Sequence, residues 1–373
     1  MELAPRRRDA LPTVSVVMPV RGDGRFLEDA LKSVYRQCET HLEIICVDDG
    51  LTHHAETVIR EFNSTARNIR ILRNNGRGIV AALNTGLREA CGEFVARMDA
   101  DDISLPNRFA AQLTFLRRHP DVAALGTQAM LIDEDGKVVR RLRTPVGSAR
   151  LYRALDVSCA IIHPTVMMRL AAIRKLGGYR VGFDGAEDYE LWLRLRRVSK
   201  LDNLPGPFLL YRSHTEQVSV RNQLRQARMA AIASVGHRLL SRSGVDHLAA
   251  ITSYGSWRSA FGPAGPAAVD EVRGLTACLL ADNGGTNRRS GARYLDRACA
   301  KAGAHGSPYL RNRLALACVR HQISLARSGR RMDALIAAAT DLSRWRTRLV
   351  PAYFLQASAL WRSREALSAE RSA

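Results

Sequence analysis

Over the first hundred residues, short apolar runs alternate with segments whose apolar positions recur at helical spacing. Val14-Ser15-Val16-Val17-Met18-Pro19-Val20 predicts a buried strand. The stretch from Phe26 to Gln37 follows with Leu27, Leu31 and Val34 on one helical face. Glu43 to Asp48 predicts a second strand, Ala55 to Phe62 a helix, Asn68 to Leu72 a third strand, Ile79 to Ala90 a helix and Gly92 to Met98 a fourth strand. Strands that are apolar throughout, rather than at alternate positions, belong to a parallel sheet covered on both faces. Ligands of such sheets bind beyond the carboxyl ends of the strands. The residues that follow each strand are therefore the ones to search for chemistry.

Past Asp121 the pattern changes. Val122 to Ile132 and Lys137 to Leu142 flank Asp133-Glu134-Asp135-Gly136, which predicts a hairpin with an Asp-Gly turn. Glu187 to Arg197 predicts a helix and Phe208 to Arg212 a last strand. Residues 13–220 thus read as one α/β domain after a basic tail over 1–12. Residues 221–373 are rich in alanine and arginine and predict helices over Gln223–Leu240, Tyr309–Ser328 and Met332–Trp345.

Composition narrows the class. The chain has 373 residues, of which 46% are hydrophobic and 25% charged, so it can bury an ordinary core. A formal net charge of +20 implies an anionic partner: nucleic acid, an anionic membrane surface or a phosphorylated substrate. Aromatics are only 6% and do not interleave with the basic residues, which argues against nucleic acid. Seven cysteines without Cys-x-x-Cys spacing, several in apolar runs such as that of Cys46, read as reduced thiols rather than a zinc site. No apolar core follows Arg6-Arg7-Arg8, and no run approaches the ~18 apolar residues that span a bilayer. The expectation is a cytoplasmic protein, soluble or peripheral at the inner face of the membrane.

Four clusters offer chemistry. Asp48-Asp49-Gly50 ends the second strand, where two carboxylates can meet a base or a ribose, or simply close a turn. Met98-Asp99-Ala100-Asp101-Asp102 ends the fourth, and such crowded carboxylates suit a hard divalent cation shared with phosphates. A second Asp-x-Asp, Asp133-Glu134-Asp135, falls in the hairpin turn. Glu187 and Asp188 open an amphipathic helix, where acids suit the helix dipole or serve as a general base. His163 in Ile162-His163-Pro164-Thr165 and His214 in Tyr211-Arg212-Ser213-His214 complete the set.

Together these blocks resemble family 2 glycosyltransferases. The opening strand with Pro19, Asp48-Asp49-Gly50, Ala82-Leu83-Asn84-Thr85-Gly86, the run Gly92 to Asp102 with Pro106 and Arg108, His163-Pro164-Thr165, Glu187-Asp188 and Tyr211-Arg212-Ser213-His214 stand in the family's order over residues 13 to about 220. The resemblance implies a GT-A fold, a Rossmann-like, mostly parallel sheet with helices on both faces, followed by the helical C-terminal region. It implies an inverting transfer from a nucleotide sugar, expected to be a UDP-sugar, to a glycan or lipid-linked acceptor in cell-surface polysaccharide synthesis. Pro19, Arg21, Asp48, Asp49, Asp99 and Asp101 would bind the donor. Asp99, Asp101 and His214 would hold Mn²⁺ or Mg²⁺. Asp188 would be the base, and His163 and Glu187 would line the acceptor or sugar pocket. Two positions depart from the family. Arg21-Gly22 replaces its frequent Tyr-Asn, and Leu51-Thr52-His53 replaces its usual Ser-Thr-Asp. The alternatives are an inactive scaffold of the same fold, or a nucleotidyltransferase. The latter would need a glycine-rich phosphate cradle, and Gly22-Asp23-Gly24 is short and acidic.

Overall fold

The computed structural model describes residues 12–37, 41–66, 68–74, 76–214, 222–251, 256–261, 266–282 and 317. Residues 1–11 of the basic tail and, residue 317 apart, the helices expected over 309–328 and 332–345 lie outside the described residues.

Strands β1 (Val14–Gly22), β2 (Leu42–Leu51), β3 (Ile69–Arg73) and β4 (Phe94–Arg97) form a parallel block in the order β3-β2-β1-β4. Helices α1 (Leu27–Tyr35), α2 (His53–Ala66) and α3 (Ile79–Glu89) connect them. On one face Val14, Val16, Met18 and Val20 pack in a core that holds Leu27, Leu31 and Val34 of α1. On the other face Val17 meets α3 at Gly86, and a Cβ there would collide with the Val17 Cγ1 methyl. Gly86→Ala is accordingly expected to destabilise the fold by about 1–3 kcal/mol, read from the urea midpoint at unchanged m-value.

The remaining strands turn the sheet mixed. In chain order they are β5 (Ile103–Ser104), β6 (Val122–Ile132), β7 (Val138–Leu142), β8 (Met167–Arg169) and β9 (Lys200–Arg212). The sheet continues from β4 as β8-β6-β9-β5, with β7 on β6. β8 is antiparallel to both β4 and β6, while β9 runs parallel to β6. The β6–β7 hairpin closes as its sequence predicts: Asp133 Oδ1 accepts from Asp135 N and Lys137 N, and Gly136 takes φ +84°. The second Asp-x-Asp is therefore turn chemistry.

Several helices come as additions to the expected pattern: α4 (Arg108–Arg118), α5 (Ser148–Leu155) and α6 (Leu170–Lys175). In α4 the buried face carries Arg108 and Gln112. Arg108 Nη2 donates to Arg97 O, and Gln112 Nε2 donates to Leu125 O and Thr165 O. Polar residues satisfied inside the protein erase the apolar periodicity that would announce this helix. β9 is likewise longer than expected, because Pro205-Gly206-Pro207 interrupts its pattern where its register on β6 shifts.

Helix α7 (Glu187–Leu195) is held from below. Its Glu190 carboxylate is fully buried, accepts from Arg194 Nε at 2.9 Å and pairs with Arg180 Nε at 2.9 Å. His237 Nε2, on α8 (Gln223–Ser243), lies 3.5 Å away, and Arg180 also bonds Asp246. Helix α8 thus packs against α7, and contacts group the chain up to Ala260 in one compact unit. A helix over Pro266–Asp282 groups separately. Among the described residues, no helix is long and apolar enough to cross a membrane.

The cations around Glu190, with His237, outweigh its burial and hold its carboxyl below the ordinary range. A depressed carboxyl contributes stability above its unfolded pKa of roughly 4.3, and that contribution is lost as pH falls through the lower native value. Glu190→Ala leaves the largely buried Arg194 without a carboxylate and Arg180 with Asp246 alone, and is expected to cost about 3–5 kcal/mol at pH 7. The gap in melting temperature should narrow as the pH is lowered below 4.

Candidate active site

The parallel register aligns Val20 of β1 with Asp48 of β2, and Val17 with Arg97 of β4, so the ends of three strands share one edge. Pro19 is buried in β1, and Arg21 stands exposed just past it. Asp48 Oδ1 accepts from Gly50 N at 2.9 Å and Leu51 N at 2.8 Å, closing its own turn. Asp49 Oδ1 accepts from Asn74 Nδ2 and Gly78 N, which ties this loop to the start of α3. Each aspartate therefore has a loop-holding role at one oxygen, and both side chains remain half-buried at the sheet edge.

The carboxylates of Asp99, Asp101 and Asp102 lie within 4.8 Å of one another. Asp99 pairs with the buried guanidinium of Arg97. Asp101 Oδ2 lies 2.9 Å from His214 Nε2, so the structure brings together two of the expected metal ligands from distant parts of the chain. Asp102 is fully buried: Oδ1 accepts from Arg212 N, and Oδ2 has no hydrogen-bond partner. Arg212 fixes the loop further. Its Nε donates to Asp101 O, its Nη1 to Glu134 O, and its guanidinium stacks 4.2 Å over Phe26. Burial pushes the Asp102 carboxyl well above the ordinary range, with Asp99 and Asp101 adding repulsion. Burial also raises Asp99, against the pull of Arg97. Three oxygen-bearing acids, one with an orphaned buried oxygen, fit a divalent cation: hard ligands at close quarters whose repulsion a cation removes.

Glu187 and Asp188 open helix α7, and the charge of Asp188 adds to the upward shift that burial gives Asp99. Glu187 is turned inward. Its Oε2 accepts from Gly185 N, and its Oε1 lies 3.9 Å from His163 Nδ1. Burial, reinforced by Asp188, pushes its carboxyl up to about 7. His163 is itself buried, 2.8 Å from Tyr179 Oη and edge-on to Trp192. Burial holds its pKa well below the ordinary value, so its imidazole is neutral. Asp188 stays half-buried, and its Oδ2 accepts from Cys159 Sγ at 3.4 Å. Burial raises its carboxyl as well, despite the bond from Tyr189 N. Of the two acids, Asp188 is the more exposed.

Several members of this site escaped the sequence reading. Arg97 carried a usable signal, a lone charge in the otherwise apolar strand Phe94-Val95-Ala96-Arg97. Asp102 stood within its motif without a role. Cys159 and Tyr179 gave no signal, because each is placed by contacts with residues far along the chain.

Paired aspartates and a clustered acid trio thus stand at the carboxyl edge of one α/β sheet, an arrangement suited to a phosphorylated ligand held with a cation. Residues 15–177 match the family described as Glycosyl transferase family 2. The chain is 31% identical over 222 residues to an uncharacterized glycosyltransferase of Haemophilus influenzae, covering 58% of this chain and 81% of the relative. It is 28% identical to the O-antigen biosynthesis glycosyltransferase WbnJ of Escherichia coli, covering 55% of this chain and 82% of that protein. Among solved structures it resembles the mannosyltransferase PcManGT from Pyrobaculum calidifontis in complex with GDP-Man and Mn²⁺. That likeness has a TM-score of 0.50 at 19% identity and covers 91% of this chain and 89% of the other, a likeness of fold. The chain belongs to glycosyltransferase family 2, and its fold is GT-A.

Proposed function

We propose that this glycosyltransferase moves a sugar from a nucleoside diphosphate sugar to a glycan or lipid-linked acceptor in cell-surface polysaccharide synthesis, with inversion. The observation that carries this reading is the Asp99–Asp101–Asp102 cluster at the carboxyl edge of the sheet, with its orphaned buried Asp102 oxygen. Asp99, Asp101 and His214 would hold Mn²⁺ or Mg²⁺. A divalent cation held there would supply positive charge against that building on the departing nucleoside diphosphate. Asp48 and Asp49, with Pro19 and Arg21 beside them, line the edge where a base and ribose would lie. Uracil is the base the family resemblance implies, and the complex of PcManGT with GDP-Man makes guanine the comparison to run. Asp188 takes the proton of the acceptor hydroxyl as that hydroxyl attacks the anomeric carbon from the face opposite the leaving diphosphate. Neutral His163 and inward-facing Glu187 wall the pocket without competing for that proton. The O-antigen role named for WbnJ supports the polysaccharide assignment. The net charge of +20 supports work at an anionic inner leaflet, which sedimentation of the full chain with anionic and neutral vesicles tests.

Calorimetric titration of UDP and GDP, each with Mn²⁺ and with chelator, tests the donor site. Metal-dependent binding of one nucleotide is expected. Binding of neither would overturn the assignment.

A further inference from the structure

Strand β7 forms an open edge of the sheet. Among the described residues it pairs with β6 alone, so its outer side meets no neighbouring strand. Its sequence is Val138-Val139-Arg140-Arg141-Leu142, and Arg143 follows. Val138 and Val139 are 52% and 56% exposed, and they are the only large exposed hydrophobics among the described residues that adjoin one another in the chain. Successive residues of a strand point to opposite faces, so both faces of β7 are open to solvent here. Arg140, Arg141 and Arg143 are exposed, and none has a carboxylate partner among the described residues. Arg141 donates through Nε to Gln128 Oε1 and through Nη2 to Pro205 O, neutral acceptors that hold the side chain without cancelling its charge. The acids of the adjoining turn are engaged elsewhere. Glu134 pairs with Arg25, Asp133 closes the turn, and the exposed Asp135 is matched in charge by the exposed Lys137.

An occupant of this edge must offer negative charge to three guanidiniums and apolar depth to two valines. A second copy of the chain would oppose the same three guanidiniums across an edge-to-edge pairing, and like charges opposed across strands repel. Nucleic acid offers phosphates, but the edge holds no aromatic side chain on which a base could stack. An anionic lipid surface supplies both needs: phosphates for the arginines, and the headgroup–acyl boundary for the valines. The edge is also well placed for the site. Val138 and Arg212 both pair with Ile132, from opposite sides of β6. Neighbouring strands lie about 4.8 Å apart, so these two backbones stand about 10 Å from each other. Ser213 N donates to Ile132 O, and Arg212 Nε donates to Asp101 O. The acid loop is thus fixed to the hairpin that carries β7, and a surface held on β7 lies close to that loop.

We propose that the outer edge of β7, with Val138, Val139, Arg140, Arg141 and Arg143, docks the enzyme on an anionic lipid surface. The inference deepens the proposed function: it rests on a lipid-linked acceptor at an anionic leaflet and names the face that meets that leaflet.

Sedimentation of the full chain with phosphatidylcholine vesicles, and with vesicles that also contain phosphatidylglycerol, tests it. Wild type is expected to bind the anionic vesicles about tenfold or more tightly than the neutral ones, and to be released as NaCl rises to about 0.5 M. Arg140→Ser combined with Arg143→Ser should weaken binding to anionic vesicles by about 10–30-fold. Val138→Ser combined with Val139→Ser should weaken it about fivefold and leave its salt dependence in place. Arg117→Ser combined with Arg118→Ser removes the same charge from the exposed end of α4, at the opposite end of β6 and about 30 Å away, and should change binding by less than about threefold. Melting temperatures of the three variants report on folding. Equal losses from the two arginine pairs, or no loss from either β7 pair in a variant that melts normally, would overturn the proposal. A wild-type dimer in sedimentation velocity that the valine pair abolishes would overturn it too, by assigning the edge to a second copy. Wild type that binds neutral and anionic vesicles alike would sink the leaflet reading with it, whereas anionic selectivity that survives the β7 substitutions would sink this inference alone. Nucleoside diphosphate binding without vesicles reports on the donor site separately.

Discussion

Replacing Asp188 by asparagine is expected to lower transfer by about 10²–10⁴-fold, the usual contribution of a positioned general base, with the loss in kcat. The side chain keeps its size, and its amide oxygen can still accept from Tyr189 N while its amide nitrogen faces Cys159 Sγ, so the fold should persist. Its neighbour Glu187 should behave differently. Because burial raises the Glu187 carboxyl to about 7, the native state carries a penalty that grows as pH rises from the unfolded value, roughly 4.3, and is complete above 7. Glu187→Gln removes that penalty. It should melt at a higher temperature than wild type at pH 8 and at about the same temperature at pH 4. A lower melting temperature at pH 8 would show that Glu187 is structural rather than a strained member of the site. Wild-type activity should fall as pH is lowered through the raised pKa of Asp188, since the base must be ionised to accept a proton.

The second large effect concerns Asp101. Changing a group that only orients a metal ligand typically costs 10–100-fold in metal affinity. Asp101→Ala removes a proposed ligand outright and leaves His214 without its 2.9 Å partner, so a loss of about 100-fold or more in apparent Mn²⁺ affinity is expected. Titrating Mn²⁺ against donor turnover measures it. Unchanged metal dependence in a folded Asp101→Ala protein would remove Asp101 from the site.

Much of this arrangement is legible in the sequence because it depends on local signals. Apolar runs announce β1 to β4, and the carboxyl edge of a parallel sheet points to Asp48, Asp49, Asp99 and Asp101. Turn chemistry separates the second Asp-x-Asp from the first. What the sequence hides lies where polar groups are satisfied inside the protein. Helix α4 buries Arg108 and Gln112, which breaks its periodicity. Arg212 reads as a motif residue, yet its work is to pin the Asp101–Asp102 loop to the β6–β7 turn through contacts about eighty and a hundred and ten residues away. Glu190 resembles any acid in a helix, and only the packing of α8 shows it as a buried anchor for the helix that bears Asp188. Cys159 meets Asp188 because residues 152–159 run back along α7, which no local pattern encodes.

The central claim is that one cleft combines a metal-assisted nucleotide-sugar site with Asp188 as base. The most direct test is release of nucleoside diphosphate from a panel of UDP- and GDP-sugars by wild type, Asp188→Asn and Asp101→Ala, each with Mn²⁺, with Mg²⁺ and with chelator. The account predicts release from one donor that requires metal and is lost in both variants. Release that persists with chelator, or that survives Asp188→Asn undiminished, would contradict it.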